Sequence, residues 1–394
     1  MKKWKQLLAV TAAAVMAVSS FAGCGSSSKE TEAKNDAGSA GDTFMIGGIG
    51  PTTGSTAVYG QAVKNAAELA VKEINEAGGA NGYQISFQYQ DDESDQEKAV
   101  NAYNALKDWG MQILMGTVTS GPCTAVVEKS KEDNMFQLTP SGSAVESIAY
   151  DNAFRVCFSD PNQGKASAQY IGENKIASKI AVIYDSSDVY SSGIYEKFAA
   201  EAKNQNLEIV AAEAFTADSK TDFSVQLQKA KDAGAELVFL PIYYQEASLI
   251  LTQADAMGFA PMFFGCDGLD GLLAVENFDT KLAEGVMLLT PFAADADDEK
   301  TQAFVSAYEE AYGDTPNQFA ADAYDAIYII KNAIEEGSVT PDMSISDICE
   351  ALKTAMTSIT YDGLTGEGMT WSADGEPSKE PKAVKIENGA YTAM

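Results

Sequence analysis

From Phe44 onward the chain alternates short apolar runs with stretches of helical length, and this alternation constrains the fold more than any other feature. The runs are FMIGGIG, YQISFQYQ, MQILMG, MFQLTP, KIAVIYD, EIVAAEAF, AELVFLPI, PMFFGCD and EGVMLLTPF. Amphipathic segments such as Gln61 to Ala77 and Gln96 to Asp108 separate them. Strand and helix in repetition predict an α/β fold with parallel sheets covered on both faces. About 350 residues are too many for one such core, so two domains are expected.

Local signals agree with this frame. Asp95 stands as a helix cap before Gln96, and Gly110 closes that helix. In SGSAVE, Ser143 followed three residues later by Glu146 predicts a capping box. The Gly and Asn residues of EAGGANG, Glu76 to Gly82, predict a tight turn from helix to strand.

The stretch MQILMGTVTSGPCT, Met111 to Thr124, has the outline of a phosphate-binding loop but carries Pro122 and Cys123 where such a loop needs Lys and Ser or Thr. A strand, a hydroxyl-rich turn and a helix start remain. In doubly wound sheets ligands gather beyond the carboxyl ends of strands, where helix N-termini offer free amides. Four such ends are rich in hydroxyls: GPTTGSTAVYG, GTVTSGPCT, LTPSGSAVE and DSSDVYSSG. Amides with neutral hydroxyls favour a small anion, a carboxylate. A fifth end, FFGCDGLD, offers Asp267 between Gly265 and Gly268, a carboxylate that wants a cation. Donors for an anion facing an acceptor for a cation are complementary to a zwitterion such as an α-amino acid.

Composition removes several rival chemistries. The chain has no histidine, so Ser-His-Asp and Cys-His catalysis are excluded and the commonest metal ligand is missing. Lys and Arg number 27 against 57 acids, a net charge of −30, which argues against nucleic acid as a partner. No metal and no cofactor are expected: IGGIGPTTG has Thr53 where a dinucleotide fingerprint needs its third glycine. DADDEK, Asp295 to Lys300, lacks the Gly and final Glu of a calcium loop. Cys123, Cys157, Cys266 and Cys349 are widely spaced and are expected as reduced, buried thiols.

Lys2, Lys3 and Lys5, the apolar run Leu7 to Val18, and the small residues before Cys24 predict a signal peptide over residues 1–23. FAGC resembles a bacterial lipobox, with Cys24 as the lipidated residue. Residues 24–42 then form a tether of Gly, Ser, Ala and charge that cannot bury enough surface to order itself. The expected location is extracytoplasmic, lipid-anchored to the outer face of the bacterial cytoplasmic membrane.

The segment IGPTTGSTAVYGQAVKNAAELAVKEINEAGGANGYQISFQYQDDESDQEKAV resembles the N-terminal signature of leucine/isoleucine/valine-type binding proteins of bacterial ABC transporters. LTPSGSAVE, FRVCFSDPNQG, AVIYDSSDVYSSG, FLPIYYQEA, FFGCDG, AEGVMLLTPF and AYDAIYII continue the likeness in order across nearly the whole mature chain. The resemblance implies a type I periplasmic-binding-protein fold: two doubly wound parallel-sheet lobes joined by three crossovers, with the ligand cleft between them. Residues 43–161 with 292–364 would form lobe 1, and 162–291 with 365–394 lobe 2. It further implies an amino acid ligand, no catalysis, and ABC permease and ATPase subunits as partners.

Carried over residue by residue, Ser120, Ser141 and Ser143 would hold the ligand carboxylate and Asp267 its ammonium. Tyr190 and Tyr243 would approach from the second lobe, and Tyr59 would line the side-chain pocket. Tyr83, Tyr244, Tyr324 and Tyr328 are read as packing. Ser141-Gly142-Ser143 is more polar than the alanines and threonine usual in branched-chain binders, which weighs against Leu, Ile and Val as preferred ligands. The disulfide that some members carry near DDESD and TVTSG is absent. A ligand-sensing receptor of the same fold, and a binder of a carboxylate or amide that is not an amino acid, remain as alternative readings.

Overall fold

The computed structural model describes residues 42–394. The signal peptide, Cys24 and all of the tether but Asp42 lie outside the described residues. The described residues fall within one compact unit that contains two complete sheets.

The first sheet comprises β1 (Thr43–Ile49), β2 (Gln84–Gln90), β3 (Ile113–Gly116), β4 (Phe136–Thr139) and β5 (Ala153–Arg155) in the order β2-β1-β3-β4-β5, all parallel. Between these strands run α1 (Ala57–Glu76), α2 (Gln96–Trp109) and α3 (Ser120–Glu132). The second sheet begins after α4 (Asp160–Glu173). It uses β6 (Lys179–Asp185), β7 (Glu208–Phe215), β8 (Leu237–Leu240), β9 (Met262–Gly265) and β10 (Met287–Thr290), with α5 (Val189–Asn204), α6 (Ser224–Asp232) and α7 (Tyr244–Ala256) between strands. After β10 the chain returns to the first half, where α8 (Glu299–Tyr312) and α9 (Gln318–Glu336) pack on α1 and α10 (Ile345–Met356) packs on β4. It crosses a third time to add β11 (Lys382–Glu387) and β12 (Ala390–Ala393), giving the order β12-β11-β10-β9-β8-β6-β7.

The molecule is therefore a two-lobed α/β fold with three crossovers, and every apolar run read from the sequence forms a strand. One feature differs from an all-parallel expectation: β11 pairs antiparallel with both β10 and β12, closing one edge of the second sheet. β5 is parallel but only three residues long. The lobe boundary also moves. Tyr361 OH and Thr365 N donate to Asp325, Trp371 Nε1 donates to Arg155 O (2.8 Å), and Lys379 Nζ reaches Asp322 (2.6 Å) and Val156 O (3.2 Å). Those bonds tie residues 361–379 to the first lobe, so the boundary expected after Leu364 belongs after Lys379.

Helix ends mostly follow the local signals. Asp95 accepts from Lys98 N (2.9 Å), and Gly110 ends α2 in the left-handed conformation. The capping box at Ser143 and Glu146 does not form. A short 3-10 turn starts at Val145 with Ala144 before it and no side-chain cap, because the Ser143 amide donates to Ser120 Oγ (3.2 Å) and the Ser143 carbonyl accepts from Asp160 N (2.9 Å). The loop is recruited by its neighbours rather than by a helix of its own.

Cys123, Cys157, Cys266 and Cys349 are buried and unpaired. Among the described residues no helix is long and apolar enough to cross a membrane, and no cluster of metal-ligating side chains is found.

Candidate ligand-binding site

Strand order places the site. β3 and β4 are adjacent in the first sheet, so the loops after them emerge side by side, as Thr117–Ser120 and Pro140–Ala144. Thr139 Oγ1 donates to Thr117 O (2.6 Å), Ser141 Oγ donates to Val118 O (2.7 Å), and Ser120 Oγ accepts from Ser143 N and Ala144 N (3.2 and 3.1 Å). The two loops are thus one hydrogen-bonded unit at the N-terminus of α3. Gly142 is required at its centre, since a Cβ there would lie 2.8 Å from both Cys123 Sγ and Thr139 Oγ1. Beneath it Arg155, fully buried, donates through Nη1 to the carbonyls of Gly142 and Ser143.

The opposing wall comes from the second lobe. Asp267 follows β9 and is 4% exposed; its Oδ1 accepts from Tyr190 OH (2.7 Å), which in turn accepts from Gly268 N (3.0 Å). Burial pushes the Asp267 carboxyl up to about 6, although the Tyr190 hydroxyl pulls the other way by favouring the anion. A Cβ on Gly268 would stand 2.6 Å from Tyr190 OH, so the turn must be glycine to seat that ring. Gln163, in the first turns of α4, accepts from Asp267 N (3.2 Å).

Contacts between the lobes surround this pair. Tyr59 OH donates to Gly268 O and accepts from Tyr244 N (3.3 Å), while Tyr244 OH accepts from Val58 N (3.3 Å). Gln318, the first residue of α9, donates through its amide N–H to Asp270 Oδ2 (2.8 Å) and through Nε2 to Asp267 O (2.8 Å).

One cavity is lined by Ser120, Ser141 and Ser143 on one side and Asp267, Tyr190 and Tyr243 on the other, with Tyr59 between them. All seven pocket residues named from the sequence therefore meet in one place. Val118, Thr119, Gly268 and Phe319 also line it. Phe319 is the instructive omission. It lies in the first turn of α9, at the head of an aromatic series whose helical spacing reads as packing, and only the tertiary fold shows its ring 4.2 Å from that of Tyr59. Tyr244 packs edge-on against Tyr59 (4.9 Å), and Tyr324 and Tyr328 share Glu73 away from the cavity.

No Lys or Arg side chain lines the cavity. An anion here would be held by hydroxyls and helix-start amides, and a cation by Asp267.

Fold and cavity together define a two-lobed α/β protein with a small cavity between its lobes. A family model described as periplasmic binding protein matches residues 43–390, and the chain belongs to that family. Over 317 residues it is 30% identical to a leucine-, isoleucine-, valine-, threonine- and alanine-binding protein of Pseudomonas aeruginosa, spanning 80% of this chain and 83% of that one. The structure is similar, with a TM-score of 0.80 and 29% identity, to the branched-chain amino acid transporter substrate binding protein LivJ from Streptococcus pneumoniae, solved with isoleucine; 89% of this chain and 99% of that chain are covered. A solute binding protein from R. palustris, solved with benzoate, shares the fold at a TM-score of 0.78 and 22% identity, over 89% of this chain and 95% of that one.

Proposed function

We propose that the protein is the solute receptor of an ABC transporter, held outside the cytoplasmic membrane by lipidated Cys24, and that it binds a neutral α-amino acid and delivers it to the permease. The observation that carries this reading is the opposition, across one cavity, of the Ser120–Ser141–Ser143 donor unit and the buried carboxylate of Asp267. The serines take the ligand carboxylate and Asp267 its ammonium, while Tyr59, Tyr190 and Tyr243 enclose the remainder. Closure is then coupled to binding, because only a ligand with both charges joins the two walls. Two charge-assisted contacts in a dry cleft are consistent with a micromolar or tighter complex, about −8 kcal/mol or below.

The kinship with amino acid receptors supports the ligand class. The lipid anchor rests on the residues before Cys24 and the permease on membership of the family. The test is calorimetric titration of ligand-stripped residues 42–394 with the standard amino acids. Micromolar binding of one or more neutral amino acids is expected. Silence toward every amino acid would overturn the reading and turn the search to other carboxylates or amides.

A further inference from the structure

A second cavity, of about 770 Å3, lies between the lobes and shares no lining residue with the first. Val58 of α1 and Val305 and Tyr308 of α8 line it from the first lobe. Leu273 after β9, Leu288 of β10 and Tyr391 of β12 line it from the second. Its volume falls within the range of small-molecule sites, about 300–1,000 Å3.

Asp270 stands in this wall and is 5% exposed. Its Oδ2 accepts from Gln318 N (2.8 Å), and among the described residues no donor reaches Oδ1. Burial pushes its carboxyl up to about 7 against the pull of the Gln318 amide, and Asp267 and Asp322 nearby add to the rise. A buried carboxylate with an oxygen unmatched is costly unless a cation or donor meets it. The protein supplies none here, since no Lys or Arg side chain lines the cavity. The other charged residues around it, Asp295, Glu309 and Asp314, are exposed acids at its mouth, which would draw a cation inward.

The walls also decide what kind of cation fits. A bare metal ion needs several oxygen ligands together, and no such group of acids is found among the described residues. Val58, Leu273, Leu288 and Val305 instead offer apolar surface to an organic body.

We propose that this cavity is a second ligand site, separate from the one between Ser120 and Asp267, and that it takes a small organic cation, an amine or quaternary ammonium with a short apolar body, whose charge is met by Asp270. The proposal stands on this cavity alone and does not depend on the amino acid reading above.

The experiment is calorimetric titration of residues 42–394, at physiological ionic strength, with hexylamine, 2-phenylethylamine and choline. Hexanol and 3-phenylpropanoate serve as neutral and anionic counterparts, and Asp270→Asn, Val305→Trp and Asp267→Asn are titrated beside wild type. At least one of the three cations is expected to bind one to one at submillimolar concentration, about tenfold or more tighter than the neutral and anionic probes. Asp270→Asn, which removes the charge, and Val305→Trp, which fills the cavity, are each expected to weaken that cation about tenfold or more, whereas Asp267→Asn keeps it within about threefold. Failure of all three cations to bind at millimolar concentration overturns the proposal, as does a folded Asp270→Asn that binds like wild type. Binding lost in Asp267→Asn and kept in Asp270→Asn also overturns it, by placing the cation in the first cavity. Should Asp270→Asn not fold, Val305→Trp decides: unchanged affinity there puts the cation elsewhere.

Discussion

On the proposed reading Asp267 meets the ligand's ammonium, and its environment would then make binding pH-dependent. Burial raises its carboxyl to about 6, whereas an ammonium needs it ionised. Amino acid affinity is therefore expected to be level above about pH 7 and to fall roughly tenfold per unit below 6, because each bound ligand must first displace a proton. Titrations between pH 5 and 8 at constant ionic strength read this directly; affinity that is flat or improves toward pH 5 contradicts it. That Asp267 lies at the cavity was legible in the sequence, because it stands between two glycines at a strand end. Arg155 was not: its role depends on the loop between β4 and β5 folding back over it, so that one buried guanidinium can hold the Gly142 and Ser143 carbonyls. Ser143 lines the cavity as expected but does not cap a helix. Its hydroxyl and amide found partners on Ser120, twenty-three residues away, and those bonds outweighed the local pattern.

At the scale of elements, the third crossover is secured by a buried pair. Lys379 Nζ lies 2.6 Å from Asp322 Oδ1, with side chains 1% and 3% exposed, and also donates to Thr365 Oγ1 and Val156 O. Burial keeps Asp322 up at about 6 despite its partner, so the pair is sensitive to losing either member. Lys379→Met is expected to destabilise the fold by roughly 3–5 kcal/mol by leaving Asp322 uncompensated, and the double variant Asp322→Leu with Lys379→Met to recover most of that loss. Urea denaturation of the three proteins measures both; a single variant within 1 kcal/mol of wild type, on the order of surface changes, contradicts it. The parallel strands could be read because each is a continuous apolar run. β5 could not, since its three residues are too few to show a period, and the antiparallel β11 and β12 lie beyond the last apolar run, short and broken by Lys382, Lys385, Glu387 and Thr392. The segment 361–379 carries no periodic signal, and its allegiance to the first lobe comes from Asp325, Arg155 and Asp322, all far away in sequence.

The whole molecule is acidic, and several of its acids are buried without a full set of partners. Asp92 and Asp270 are pushed up to about 7 by burial, and Asp267 and Asp322 to about 6. Each holds its proton more tightly folded than unfolded, so between about pH 4 and 7 the native state binds more protons and stability falls as pH rises. Asp151 runs the other way: Lys131 and Lys353 hold it at about 2, and its contribution is lost as pH falls below the ordinary carboxylate range. The ligand-stripped protein is therefore expected to melt at a higher temperature at pH 5.5 than at pH 8. Scanning calorimetry at fixed ionic strength tests this, and a melting temperature that climbs from 5.5 to 8 contradicts it. The parallel α/β layering was legible in the repetition of strand and helix, whereas the two lobes and their three crossovers were implied by the family resemblance. The convergence of Tyr59, Tyr190, Tyr243 and Phe319 on the cavity was not legible in that repetition, since the four rings come from α1, α5, the loop after β8 and α9.

The central claim is that Asp267 holds an ammonium while the serine loops hold a carboxylate. The most direct measurement is the affinity of alanine and of its amine-free counterpart pyruvate for wild type and for Asp267→Asn, taken as a cycle at pH 7.5. Wild type should prefer alanine by at least about a hundredfold, the scale of a buried charge-assisted contact, and the variant should lose most of that preference. Equal preference for alanine in both proteins, or pyruvate binding to wild type as tightly as alanine, would show that Asp267 does not meet the ligand's amine.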